Sequence, residues 1–382
     1  PYAWKPVACS AESPGLVPIV SRCAKPGAAG PDENGNRCSN VLRPPGESTM
    51  TRKPSLAMIA DCARPLANLV RGRPVLATFQ VTLRCNSACG YCDLPLNQGR
   101  YELTREEIRG IFGLLYTEGI RFVLVQGGEP LLRPDLVDIL EDLSSLGLHV
   151  TVITNGTRLT TDLVARFTSL RLPLSVSLDT LDRTRYRQIR GADQLPQVLA
   201  GLSLLAQYPY PKFLTCIVSE VNRKEVPDVV RFAKARGFIP VVGAYHWNVG
   251  LYGKEDTGLM YDRSAAAGVF ELLLKEDLIP PGYFRKFVAD SAGWLRGQQL
   301  EPCDAGRYSI AIDASGEVSP CLAMSSVGNL RELPYREILS RFSGPQIQAC
   351  SDCSSCNRLD GRVVGTVLRH PLSAWRTPVR FQ

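Results

Sequence analysis

The chain contains no uninterrupted apolar stretch approaching the roughly 18 residues that a membrane-crossing helix needs, and no segment has the layout of a signal peptide. The expectation is a soluble, unsecreted, cytoplasmic protein without a membrane span. Also missing are a collagen-like repeat and the composition of a coiled coil or a wholly disordered chain. Hydrophobic residues make up 45% and charged residues 21% of the 382, close to ordinary globular usage. Excess charge of either sign is small: 44 Lys and Arg against 37 Asp and Glu leave +7, which suits anionic ligands and is too diffuse to indicate nucleic acid. Cysteine is the exception, because 13 is a high count for this size and the residues cluster. Tight clusters in a long intracellular chain point to metal or redox chemistry, whereas a disulfide framework belongs to short secreted chains.

The length accommodates a barrel of about 200 to 250 residues and a smaller module. Residues 1–49 hold eight prolines and five glycines with neither helical nor strand period, and read as a disordered leader. The chain begins at Pro1 and its first methionine is Met50, so this leader reads as a processed remnant or as sequence ahead of the true start. Cys9, Cys23 and Cys38 within it are assigned no chemistry. Residues 50–74 read as an N-terminal extension, and residues 1–74 as a whole lack the periodicity of a winged helix.

From Val75 onward, short apolar runs alternate with amphipathic segments, the pattern of βα units. Strands are expected at Val75 to Leu83, Arg121 to Gln126, His149 to Thr154, Leu174 to Leu178, Phe213 to Ser219 and Ile239 to Tyr245. The intervening helix that opens at Thr104 carries a capping box, with Glu107 three residues on and Ile108, Ile111, Phe112 and Leu115 on one face. Later helices run from Leu136 to Leu143 and from Leu195 to Leu205. Six such repeats imply an α/β fold, a partial (β/α)6 barrel of TIM type over 75–250, with functional residues at the C-terminal strand ends. Residues 251–300 read as a helical connector, and 301–382 as a cysteine-rich module.

The first strand ends in Cys85-Asn86-Ser87-Ala88-Cys89-Gly90-Tyr91-Cys92, a CX3CX2C loop whose three thiolates can converge on one metal centre. Zinc would want a fourth local ligand, and no histidine stands nearby. A four-iron cluster held by three cysteines keeps one iron open to a ligand. At the next strand end stands Gly127-Gly128-Glu129-Pro130, whose glycines let backbone approach a ligand and whose Glu129 can accept from an ammonium group. Adjacent strand ends in a parallel barrel lie side by side, so the two motifs share one rim.

On these motifs the sequence resembles the radical S-adenosylmethionine (radical SAM) superfamily over roughly residues 75 to 250, with Tyr91 fitting that family's cysteine loop and Gln126 to Pro130 its methionine-binding turn. The resemblance implies that Cys85, Cys89 and Cys92 hold a [4Fe-4S] cluster whose open iron chelates S-adenosylmethionine, and that Asn155, Ser177 and Asp179 contact the cofactor. Asp179 has an alternative as a helix cap. Arg190 would meet the cofactor carboxylate or be a solvated helix arginine, and Ile217 and Val218 would pack on adenine or belong to the core. Cys216 reads as a buried small hydrophobe.

Cys303, Gly316 and Cys321, followed by Cys350, Cys353 and Cys356 as CX2CX2C, are similar to the SPASM and twitch extensions of that superfamily. A hairpin through Tyr308 to Ile312 and the Asp313-Ala314-Ser315-Gly316 turn would bring Cys303 and Cys321 together. Nothing after Cys356 supplies a second set, so the resemblance implies one auxiliary [4Fe-4S] cluster, with two of Cys350, Cys353 and Cys356 completing its ligands; a four-thiolate zinc site would use the same residues. The tail, with Arg358, Arg362, Arg369, Arg376 and Arg380 against Asp360, reads as a solvated basic surface, with attraction of an anionic substrate or partner as the alternative. His246, after the sixth strand between Tyr245 and Trp247, is the candidate catalytic acid or base on position. The resemblance thus implies a radical SAM enzyme of oxidoreductase or maturase type, acting on a small-molecule or peptide substrate and served by a low-potential donor such as flavodoxin or ferredoxin. The alternatives are a peptide-modifying maturase and a non-catalytic protein whose iron-sulfur or zinc sites only stabilise the fold.

Overall fold

A computed structural model describes residues 56–247, 255–342 and 356–372. Cys9, Cys23 and Cys38 of the leader, Cys350, Cys353, Arg376 and Arg380 lie outside the described residues.

Six parallel strands run in chain order: β1 (Leu76–Thr82), β2 (Phe122–Gly127), β3 (His149–Thr154), β4 (Leu174–Ser177), β5 (Lys212–Val218) and β6 (Ile239–Ala244). Helices α2 (Arg105–Thr117), α3 (Leu136–Ser145), α4 (Thr161–Ser169), α5 (Arg183–Arg190), α6 (Leu195–Leu204) and α7 (Val226–Ala235) alternate with them, after an N-terminal α1 (Leu56–Arg71). This is the partial barrel that the βα repeats imply. Its core forms where the apolar faces meet: Phe79 and Val81 of β1 and Val123 and Val125 of β2 are buried with Ile108, Phe112 and Leu115 of α2. The Phe79 and Phe112 rings lie 5.0 Å apart, tilted by 58°, a favourable aromatic geometry. The capping box at α2 forms as its residues dictate, with Thr104 Oγ1 accepting from the Glu107 amide at 3.2 Å and Glu107 Oε2 accepting from the Thr104 amide at 2.8 Å.

One feature of the sheet carries no local sequence signal. The strand expected between Cys303 and Cys321, β7 (Ser309–Ile312), pairs in parallel with β1, Leu76 opposite Ser309 and Phe79 opposite Ile312. It then turns back antiparallel into β8 (Glu317–Ser319), which pairs with β9 (Gly328–Asn329). The sheet order is therefore β6-β5-β4-β3-β2-β1-β7-β8-β9, and the cysteine-rich segment continues the barrel's sheet. Without β7, the open edge of β1 would present unpaired amides and carbonyls. All seven residues of β1 are buried, as in a strand covered on both faces, while β3, β5 and β6 alternate. Two helices, α8 (Arg263–Lys275) and α9 (Tyr283–Leu295), precede this segment, and α10 (Tyr335–Ser340) and α11 (Val363–Arg369) follow its strands.

The tail departs from the expected solvated surface at Arg362, while Arg369 stays exposed. Arg362 is buried and donates to the Glu301 carbonyl. Arg369 forks onto Asp304 at 3.0 and 2.8 Å and also reaches Glu301. Fork geometry of this kind fixes orientation as well as charge, so these arginines hold the C-terminal helix against the start of the cysteine-rich segment. Among the described residues no helix is long and apolar enough to cross a membrane.

Candidate functional site

The cysteine loop is built on the end of β1 and clamped from two sides. On one side is the Gly-Gly turn after β2. The Gly128 amide donates to the Thr82 carbonyl at 2.8 Å and the Glu129 amide to the Arg84 carbonyl at 2.7 Å. A Cβ at Gly127, whose φ is +152°, would meet the Thr82 carbonyl oxygen at 2.2 Å, and one at Gly128 the Arg84 carbonyl oxygen at 2.1 Å. Only glycines allow that approach. The pairing of β1 with β2 shifts register between Gln80 and Thr82, which turns the strand end toward the loop.

On the other side is the C-terminus of α5. The Ala88 amide donates to the Arg190 carbonyl and the Gly90 amide to the Ile189 carbonyl, each at 3.0 Å. Gly191 closes the helix at φ +66°, against Ala88. Residues that sequence reasoning passed over complete the clamp. Gln194 bridges Ser87 Oγ and the Asn86 carbonyl, and Asn86 donates to Thr157 and accepts from Asn155. Their signal was present only as ordinary polar residues in loops, without a motif.

Cys85, Cys89 and Cys92 are free and half-buried on this loop. Burial raises the pKa of the Cys85 thiol and pushes that of Cys92 up to about 12, so both are neutral until a metal withdraws the proton. Among the described residues no three Cys, His, Asp or Glu side chains gather on a single metal ion. A cluster makes a different demand, since each thiolate binds its own iron. The donor set, all sulfur and on one clamped loop, fits such a cluster.

Behind the loop, Arg190 and Asp179 form a buried ion pair at 2.7 Å. Arg190 also reaches Cys89 Sγ at 4.0 Å and lies over the Tyr91 ring at 5.5 Å. Asp179 Oδ1 accepts from the Ile217 amide at 2.8 Å, and Tyr91 Oη donates to Asp179 Oδ2 at 3.4 Å. The helix cap that Asp179 might have formed is made by Asp182, and Arg190 is not a solvated helix arginine. Val218 is fully buried and Ile217 half-buried. Burial raises the Cys216 thiol's pKa, and the thiol lies 3.7 Å from the Asp179 carbonyl.

Glu129 is completely buried and serves the fold directly. Its Oε1 accepts from Thr154 Oγ1 at 2.6 Å and the Leu131 amide at 3.0 Å, and its Oε2 from the Asn155 amide at 2.7 Å. It thus ties the β2 turn, with buried Pro130, to the end of β3. Desolvation raises its pKa, opposed by these bonds. Asn155 itself donates to Asn86 at 2.8 Å. Ser177, half-buried, ends β4 opposite Thr215.

His246 takes a different part from the acid-base one expected of it. Its Nδ1–H donates to the Ala244 carbonyl at 2.6 Å, and its Nε2 accepts from the Asn357 amide at 2.8 Å. Desolvation, aided by the Arg358 and Arg263 charges, pushes its pKa down to about 3. The neutral imidazole thus has both nitrogens engaged by backbone, Nδ1–H as donor and Nε2 as acceptor.

The second cysteine group lies along the 356–361 segment. Cys303 Sγ donates to the Gly361 carbonyl at 3.6 Å, and Cys321 Sγ accepts from the Ala323 amide at 3.4 Å. Arg358, paired with Asp360 at 3.4 Å, feels the charges of both Cys321 and Cys356. The hairpin turn also touches the first site: Ala314 packs with Leu83 and Leu94, against which Cys92 rests.

Comparisons with known proteins agree with this layout. A family profile described as the radical SAM superfamily matches residues 79–233, and one described as an iron-sulfur cluster-binding domain (SPASM) matches 303–357. A probable GTP 3',8-cyclase of Methanothermobacter thermautotrophicus is 31% identical over 297 residues, 71% of this chain and 96% of the relative. The PqqA peptide cyclase of Rhizobium meliloti is 29% identical over 308 residues, 74% of this chain and 76% of the relative. A probable GTP 3',8-cyclase of Pyrococcus abyssi is 36% identical over 166 residues, and the chain spans about half of that relative's length, 54%. Among solved structures, Streptococcus suis SuiB bound to precursor peptide SuiA superposes with a TM-score of 0.59 at 16% identity, covering 87% of this chain and 83% of that one; this likeness concerns the fold.

Proposed function

The chain belongs to the radical SAM superfamily, and from that premise we propose that it is an enzyme that reductively cleaves S-adenosylmethionine and abstracts a hydrogen atom from a small-molecule or peptide substrate. The single observation that carries the reading is the set of three free thiols on one loop, clamped between the Gly-Gly turn and α5. When bound, a reduced [4Fe-4S] cluster supplies the electron that splits the sulfonium and yields a 5′-deoxyadenosyl radical.

In this reading Cys85, Cys89 and Cys92 hold the cluster, and the rim of Tyr91, Gly127 to Pro130, Asn155 and Ser177 borders the cofactor. Arg190, held by Asp179, sets a fixed positive charge beside Cys89, where it offsets part of the thiolate charge. Glu129 ties the turn after β2 to the end of β3, the two rim segments that would border the cofactor. Cys303 and Cys321, with two of Cys350, Cys353 and Cys356, hold one auxiliary [4Fe-4S] cluster, and a donor such as flavodoxin or ferredoxin delivers the electron.

Anaerobic reconstitution tests this directly. About eight iron and eight sulfide per chain are expected for two four-iron clusters, together with release of 5′-deoxyadenosine from S-adenosylmethionine and dithionite. Zinc in the protein and no cleavage would overturn the proposal. Transfer of deuterium from labelled candidate peptides or small molecules into 5′-deoxyadenosine then separates the two substrate classes.

A further inference from the structure

His246 stands where the end of β6 meets the segment that follows Cys356, and two backbone hydrogen bonds and a ring stack hold it there. Its Nδ1–H is held by the Ala244 carbonyl, so Nε2 carries the free lone pair. That lone pair accepts the Asn357 amide at 2.8 Å. The ring stacks on Trp294 of α9, centroids 4.9 Å apart and planes 13° apart, and Arg263 covers Trp294 at 4.5 Å. Asn357 is buried and pinned a second time, its Nδ2 donating to Ser291 Oγ of α9 at 2.9 Å. The residue anchored in this way directly follows Cys356 and closes the stretch matching the iron-sulfur cluster-binding domain.

We propose that His246 is a positioning residue for the auxiliary cluster: by accepting the Asn357 amide it fixes the backbone that presents Cys356, and so locks that ligand to the end of the barrel's sixth strand. The inference rests on the auxiliary-cluster reading above and takes Cys356 as one of the two ligands drawn from Cys350, Cys353 and Cys356. Partners one step removed from a metal orient its ligands and tune the site even though they never touch it, and the potential of an iron-sulfur cluster responds to such surroundings. Every group in the chain from Ala244 through the imidazole to residue 357 is in hydrogen-bond range, so a shift of the ring is transmitted to the ligand backbone.

Four variants of the full chain, reconstituted anaerobically and reduced with dithionite, separate the contributions. His246→Phe keeps a ring to stack on Trp294 and loses the acceptor. His246→Gln keeps an acceptor at the reach of Nε2 and loses the ring. Asn357→Pro removes the donated N–H together with the Ser291 contact and leaves β6 untouched, so it is read beside Asn357→Ala, which loses the Ser291 contact alone and is expected to keep the unresponsive signal. Electron paramagnetic resonance distinguishes the cluster whose signal changes on adding S-adenosylmethionine from the one that does not respond. The expected result is that His246→Phe and Asn357→Pro keep the responsive signal and lose or broaden the unresponsive one, with iron falling from about eight toward about four per chain, and that His246→Gln restores it. An unresponsive signal of wild-type shape and intensity in either His246→Phe or Asn357→Pro overturns the proposal, as does equal loss in His246→Phe and His246→Gln. Absence of any unresponsive signal in the wild-type protein is a separate result, which overturns the auxiliary-cluster reading itself.

Discussion

A guanidinium buried beside the Cys89 thiol needs a counter-charge, and Asp179 supplies it at 2.7 Å. Asp179 is fully buried and also holds the Ile217 amide. Asp179→Asn preserves the shape and an acceptor for that amide while leaving Arg190 charged and uncompensated. Removing one partner of a buried pair costs about 3–5 kcal/mol, so urea unfolding of Asp179→Asn is expected to show a loss of that order; an unchanged midpoint would show that the pair carries no such weight. His246 gives a second prediction at this scale, with a pH sign. Its folded-state pKa, near 3, lies below its ordinary value of 6.5. The unfolded chain therefore binds the proton more readily, and the contribution to stability is present above pH 6.5 and lost as pH falls toward 3. Between pH 8 and pH 5 the loss amounts to at most about 2 kcal/mol, an upper bound because the ring is half-buried. Unfolding of the wild type should weaken over that interval by more than unfolding of His246→Gln; parallel curves would count against a strongly depressed pKa.

At the scale of elements, the cysteine loop depends on where α5 stops. Gly191 ends the helix in the left-handed region, and a Cβ there would meet the Ala88 carbonyl oxygen at 2.2 Å. The left-handed conformation alone costs an L-residue roughly 1–2 kcal/mol, and the clash falls on backbone that cannot swing away. Gly191→Ala is therefore expected to lower stability by at least about 1 kcal/mol and to reduce iron bound by the first loop, checked by thermal unfolding and by iron analysis; full loading would show that the loop tolerates displacement. The strands were legible from their apolar runs to within a residue or two, and Thr104 and Glu107 marked the start of α2, because such signals are local. Other features were hidden for physical reasons. Over residues 63–71 of α1, Asn68 is buried and its Nδ2 serves the Pro74 and Glu118 carbonyls, while Leu66 and Val70 face solvent, an anchor that no sequence motif marks. The Asp179–Arg190 pair was named as two separate cofactor contacts, since a pairing across a helix and a strand end leaves no spacing to read. His246 was legible as a residue at the barrel rim, but its task depends on the amide of residue 357, which lies 111 residues away.

At the scale of the whole molecule, β7 makes the cysteine-rich segment an extension of the barrel sheet. Ala314 beyond it packs with the residues behind Cys92, so the two cysteine groups share one framework while each has its own thiols. Loss of a ligand from either group should therefore separate the two functions. Cys89→Ala removes a ligand of the first cluster and is expected to abolish S-adenosylmethionine cleavage. Cys303 is buried under Gly361 in the other group, and Cys303→Ala is expected to leave cleavage measurable but uncoupled: 5′-deoxyadenosine forms while the substrate is no longer converted to product. Iron in either variant should fall from about eight to about four per chain, and only the Cys303→Ala protein should keep a reduced signal that changes when S-adenosylmethionine is added. If Cys303→Ala instead lost cleavage as completely as Cys89→Ala with its fold intact, the second group would be required for the first electron transfer, and the division of labour between barrel and extension would have to be redrawn.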